Sequence, residues 1–177
     1  MPKVYTGAGQ VSATDTRYVK WAGKTKGGKA IIIEMEKAFC RSNPDWKFED
    51  KNETTPELEF EGLYTDENLA KDDRTEPWKI TLPDDLKEGV DEIILGVGRF
   101  YIGKTASDAK PVALTRGGGS FVVEREYRDI AADGDPGSVE GRIAQDTGRP
   151  KLKLTALQWI TRVAEIYPGL KEVTTTG

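Results

Sequence analysis

The chain has 177 residues, 37% of them apolar and 32% charged, with a formal net charge of −4 and an isoelectric point near 5.1. A single domain of this size buries about 70% of the surface its unfolded form exposes, and the modest apolar fraction fits a thin sandwich or barrel with wetted sheet faces. The acidic balance excludes a global basic footprint for phosphate, and the lack of histidine removes the commonest acid–base group and the commonest transition-metal ligand.

Cys40 is the only cysteine, so no intrachain disulfide or thiolate zinc site forms; beside Phe39 it reads as a packed small apolar residue. No apolar run approaches about 18 residues, and the N-terminus carries no signal-type segment. The expectation is a product of a cytoplasm that does not insert into a membrane by itself.

Residues 1–28 are rich in Gly, Thr, Ser and Lys and read as loop, with a short strand at 18–22. Gly27 and Gly28 supply a turn before a strand at 29–36, where Ile31, Ile33 and Met35 share one face and Ile32, Glu34 and Glu36 the other. After a break at 42–44, Trp46 and Phe48 alternate with Lys47 and Glu49. Residues 56–64 alternate most cleanly, Leu58, Phe60 and Tyr64 against Glu57, Glu59 and Glu61, and these two strands are expected to pair as a hairpin. The polar stretch 65–77 is a surface loop with at most a turn of helix around 67–71. Trp78, Ile80 and Leu82 mark a further strand, and the acidic residues 83–92, with no apolar periodicity, read as a linker.

Residues 93–102 are apolar on both faces except at Arg99, as in a strand covered on both sides; Gly96 and Gly98 mark a bulge or a close backbone approach. The chain is organised around residues 111–142. There Gly117, Gly118 and Gly119 introduce a strand wetted on one face, in which Phe121, Val123 and Tyr127 alternate with Glu124, Glu126 and Arg128. A loop from Asp133 through Asp135 and Pro136 to Gly137 follows. Leu152 and Leu154 point inward from a short strand. The spacing of Leu157, Ile160, Ala164 and Tyr167 then predicts a helix, capped by Thr155 with Gln158 and stopped by Pro168 and Gly169, with a loop-like tail from 171. The sum is a mainly β domain: a β-sandwich or split β-barrel with one packed α-helix.

Several motifs match known chemistry by letter. Residues 98–105 fit the phosphate-loop pattern G-x-x-x-x-G-K-[ST], but Phe100, Tyr101 and Ile102 are strand formers and no helical stripe follows Lys104. Asp129, Asp133 and Asp135 lack the alternate oxygens and terminal Glu of a calcium loop. Asn52, Glu53 and Thr54 form a glycosylation sequon with no secretory route. No catalytic, cofactor-binding or metal-ligating set emerges, which points away from an enzyme. Two alternatives stay open. A carbohydrate-binding β-sandwich would expose Trp21, Trp46, Trp78 and Trp159 as a platform, although three of these lie on apolar faces that suit a core. A nucleotide hydrolase would place Lys104 at a helix N-terminus.

Residues 95–101 (LGVGRFY), 114–121 (LTRGGGSF), 123–130 (VEREYRDI), 132–142 (ADGDPGSVEGR), 150–154 (PKLKL) and 157–170 closely resemble the tail tube, or major tail, proteins of long-tailed bacteriophages. Residues 19–21, 23–28, 34–38 and 45–80, including EPWKI at 76–80, are similar to the same family. The two blocks stand in reversed order. Residues 1–82 resemble the family's C-terminal half, 93–177 its N-terminal half, and 83–92 bridge the original ends, as in a circular permutant, whether engineered or natural.

The resemblance implies a single tail-tube-like domain that forms hexameric rings stacked into a tube. DNA would pass through it without specific binding, past a weakly negative lumen. Neighbouring sheets would join to line the channel, and loops and terminal arms would contact the next ring. The implied partners are copies of itself and other tail proteins, and the implied place is the virion tail, after synthesis in the bacterial host cytoplasm. Arg125, Tyr127, Asp129, Asp133, Asp135 and Arg142 are the candidate subunit contacts. Arg125 and Asp129 fall on the side of Phe121 and Tyr127, where a charge needs a partner, within the chain or across subunits. On this basis Arg125→Glu is expected to block polymerisation and leave the monomer folded, which sedimentation of the variant checks.

Overall fold

Period-two burial runs through most of the chain and sets its architecture. A computed structural model describes residues 4–7, 12–44, 55–69, 75–90, 94–134, 137–157 and 163–173. The chain is mainly β. In order it forms β1 (Val4–Gly7), a 3₁₀ turn (Ala13–Asp15), β2 (Arg17–Thr25), β3 (Ala30–Cys40), β4 (Glu57–Gly62), α1 (Asp66–Leu69), β5 (Lys79–Thr81), β6 (Ile94–Gly103), β7 (Lys110–Asp129), β8 (Ile143–Leu157), α2 (Val163–Ile166) and β9 (Leu170–Val173).

The main sheet runs β2-β6-β7-β8-β4-β3-β5, and β2 also pairs with β3. That pairing closes six antiparallel strands into a barrel and leaves β5 as a short flap on β3. Closure removes free edges within the ring. The interior is filled by side chains, among them Val19, Met35, Leu58, Phe60, Phe100, Ile102, Leu152 and Leu154, all at or below 4% exposure. Phe60 and Phe100 meet with ring centroids 5.0 Å apart. Ile166 and Tyr167, at the end of α2, join the same cluster. β1 and β9 form a separate two-stranded pair, Val4 opposite Val173.

Bulges correct the simple alternation. Arg17 faces Ala38 but Val19 faces Met35, so β3 carries one extra residue and its buried positions change parity, from Ile31 and Met35 to Ala38 and Cys40. β6 carries two extra residues opposite the step from Gly23 to Lys24. This is the bulge expected near Gly96 and Gly98. The Trp21 ring lies against Gly23 and Gly98: a Cβ at Gly98 would sit 2.5 Å from the indole nitrogen, and one at Gly23 2.0 Å from its ring. The buried Thr115 hydroxyl satisfies the loosened backbone, accepting from Gly98 N at 2.9 Å and donating to Gly98 O at 3.1 Å. Trp21 Nε1 donates to the Thr115 hydroxyl oxygen at 3.5 Å.

Several expectations need correction. Residues 155–157 belong to β8, because Thr155 pairs with Glu57 and Leu157 with Leu114 while Ala156 is fully buried; the helix is the short α2, and Gln158 and Ile160 lie outside the described residues. The three glycines interrupt one long β7 instead of introducing a strand. Thr115 faces Ala156 and Gly119 faces Leu154, so two extra residues bulge there, with Gly118 at φ 96°. β6 is not covered on both sides, since Val97 is 73% exposed. Ile80 and Leu82 are exposed because β5 is an edge flap three residues long. The loop-like start and tail contain β1 and β9, which satisfy each other's backbone. β2 runs from Arg17 to Thr25, so it extends beyond the expected 18–22 mainly on its C-terminal side. The strand expected at Trp46 and Phe48, and its hairpin, lie outside the described residues. Residues 83–90 do form an exposed turn-rich connection, tied down where Lys29 pairs with Asp85.

Among the described residues no helix is long and apolar enough to cross a membrane. The Thr115 arrangement generates a stability prediction. Thr115→Val keeps the shape but strips Gly98 of its partner for N–H and C=O, so it is expected to cost about 1–3 kcal/mol in urea unfolding.

Candidate functional site

Past the barrel, β7 and β8 continue as a two-stranded ribbon. Residues 124–129 of β7 are all exposed, so the face expected to be dry at Tyr127 is wet: its ring is 59% exposed. The ribbon pairs in register from Val123 opposite Pro150 to Asp129 opposite Ile143. Glu124 pairs with Lys151 at 2.7 Å and Arg128 with Asp146 at 2.8 Å. The Lys151 ammonium, by hydrogen bond and charge, holds the Glu124 carboxyl below its ordinary range. Such exposed pairs contribute little stability but help to fix register.

The root of the ribbon is organised by Glu76, which stands just before β5. Its Oε2 accepts from Tyr64 Oη at 2.9 Å and from Trp78 Nε1 at 3.2 Å, and its Oε1 accepts from Gln145 Nε2 at 3.2 Å. Arg125 Nη2 lies 3.6 Å from Oε1. Partial burial opposes ionisation of Glu76, yet the bonds from Tyr64, Gln145 and Trp78, with the Arg125 charge, together hold its carboxyl below the ordinary glutamate value. A second bulge brings Gln145 into range. Glu126 faces Thr147 and Tyr127 faces Gln145, so the extra Asp146 turns Gln145 onto the face that Arg125 shares with Tyr127. Gly148 leaves room for the cluster: a Cβ there would come within 2.9 Å of the Gln145 amide and 3.0 Å of Tyr64 Oη.

Of the six candidate contacts, the structure brings together Arg125 and Tyr127, two positions apart on one face of β7. The partner that Arg125 needs is found within the chain, in Glu76. Asp129 ends β7 and accepts from Ser138 Oγ at 2.9 Å. Asp133 lies in an exposed turn. Arg142 is exposed, and its carbonyl accepts from Ile130 N at 2.7 Å where the ribbon opens. Asp135 lies outside the described residues. Because Arg125→Glu would set two carboxylates side by side at the root, it perturbs the hairpin as well as any surface contact. Glu76, Gln145 and Gly148 were not marked as site residues in the sequence, and Tyr64 was read only as an inward strand residue beside Leu58 and Phe60.

Elsewhere, Lys104 and Thr105 follow a strand, and their backbone nitrogens donate to the Asp108 carboxylate at 3.2 and 2.6 Å before β7 begins at Lys110. No helix N-terminus stands there to receive a phosphate. Trp21 packs against the core and Trp78 against Phe121, with ring centroids 5.4 Å apart; Trp46 and Trp159 lie outside the described residues. Burial pushes the Cys40 thiol up to about 12, which makes it a poor nucleophile at neutral pH. Among the described residues no group of His, Cys, Asp or Glu is arranged to hold a metal ion.

The folded chain binds the Glu76 proton less tightly than the unfolded chain. Its contribution to stability is therefore full above the ordinary glutamate range and fades as pH falls through the depressed folded value. Urea midpoints of the wild type and Glu76→Gln are expected to differ most near neutrality and to converge as pH falls through the depressed Glu76 value. Compared with protein-family models, curated proteins and solved structures, the chain matches none.

Proposed function

We propose that the chain is a self-assembling structural subunit, the ring-forming protein of a bacteriophage tail tube, in circularly permuted order. The observation that carries this is the ribbon. Tyr127, Ile130 and Ile143 are 59, 52 and 58% exposed on a projecting pair of strands, and apolar groups displayed this way gain from being covered by a partner. Among the described residues, the ladder from β6 ends at Leu114 and that from β4 at Lys151. The outer edges of 119–129 and 143–149 therefore offer backbone groups to a further strand. Glu124, Arg125, Glu126 and Arg128 alternate in sign along one edge. That pattern disfavours indiscriminate pairing and favours a partner in one register.

The pairing of β1 with β9, which sets residues 4–7 beside residues 170–173, is compatible with the permuted order. The exposed turns of 83–90 suit a bridge between halves. A second copy of the chain is the partner most consistent with a surface that combines both signs of charge with apolar patches.

Sedimentation velocity over a concentration series tests the assignment. The wild type is expected to shift to ring-sized and larger species as concentration rises. Ile143→Lys is expected to stay monomeric, with folding stability changed by no more than about 0.5 kcal/mol. A wild type that stays monomeric throughout contradicts the proposal.

A further inference from the structure

We propose that Glu76 is a latch: its carboxylate fixes the direction in which the β7–β8 hairpin leaves the barrel, and without it the hairpin becomes a hinged arm on an intact barrel. This holds for the single chain, whether or not it assembles.

Glu76 belongs to the barrel side of the junction. Pro77 beside it is buried, Trp78 packs on the core, and β5, which follows at once, is hydrogen-bonded to Ile32, Ile33 and Glu34 of β3. Gln145 and Arg125 belong to the hairpin side, one on each strand. One carboxylate therefore grips both strands of the hairpin while anchored to the ring. The other contacts along the outer ribbon, such as Arg128 with Asp146 and Ser138 with Asp129, join hairpin residues to each other and leave its direction free.

A latch also needs a pliant point and room to move. Among the described residues the β4 ladder ends at Lys151, so from Val123 and Pro150 outward the hairpin is a two-stranded ladder with no third strand to stiffen it. A cavity of about 510 Å³ lies alongside, lined by Glu61, Leu63, Tyr64, Gln145 and Arg149, so the hairpin root is not packed solid on that side. The Asp146 bulge and the bare Gly148 both serve to seat Gln145 against Glu76, which is more construction than a passing surface contact needs.

Amide hydrogen exchange of the full-length chain at neutral pH, read by mass spectrometry, tests the latch. In Glu76→Ala, protection in peptides covering 124–129 and 143–149 is expected to fall about tenfold while 31–40 and 57–62 keep theirs, because only the local opening is eased. Glu76→Gln, which keeps the shape and loses the charge, is expected to show a smaller loss in the same peptides, and serves if the alanine variant does not fold. Unchanged protection in the hairpin of either folded variant overturns the proposal. Equal loss across hairpin and barrel also overturns it, since Glu76 would then be a general stabiliser.

Discussion

Trp21 fills the space that side chains at positions 23 and 98 would need and packs against the core where β2 pairs with β6. The indole can lie flat only because both neighbours are glycines. The bulge in β6 then releases backbone groups at Gly98 that the Thr115 hydroxyl must satisfy. Three strands, β2, β6 and β7, thus meet at one buried hydroxyl and one ring. Burying backbone groups without partners costs enough to decide a fold of marginal stability, so the arrangement fixes register as well as closure. With register fixed, Phe60, Phe100, Leu152 and Leu154 all face inward, and β7 and β8 leave the barrel together.

The ribbon they form obeys different physics. Two strands without a covered face bury little, and ion pairs at this exposure contribute only marginally. What holds the root is one carboxylate with hydrogen-bond donors from three residues and the Arg125 charge beside it, and what holds the shaft is the β7–β8 backbone ladder. The twenty-residue β7 carries exposed backbone and apolar groups beyond the barrel core, which is what the proposed association would use. The proposed tube subunit and the latch at its root are compatible, since a directed arm meets a neighbour in one orientation.

The mainly β class, the strand at Ile31 to Met35, the alternation of Leu58 and Phe60, and the bulge near Gly98 were all legible in local patterns. The bulges that change parity were not. Nothing local marks the extra residue of β3, yet it alone turns Ala38 and Cys40 inward. Residues 152–157 fit a strand by the burial of Leu152, Leu154 and Ala156, and also fit the first turn of a helix by the spacing of Leu157. The β4 and β7 ladders, set by distant segments, decide for the strand. At the site, Arg125 and Tyr127 stood out as a charge and an aromatic on one strand face. Glu76 did not, because its meaning lies in a contact with Gln145, 69 residues away in sequence.

Negative-stain electron microscopy of the concentrated wild-type protein tests the central claim most directly. The account predicts annular particles and short tubes of stacked rings, with the projecting hairpins between subunits. Fields of separate, single-domain particles at every concentration would contradict it.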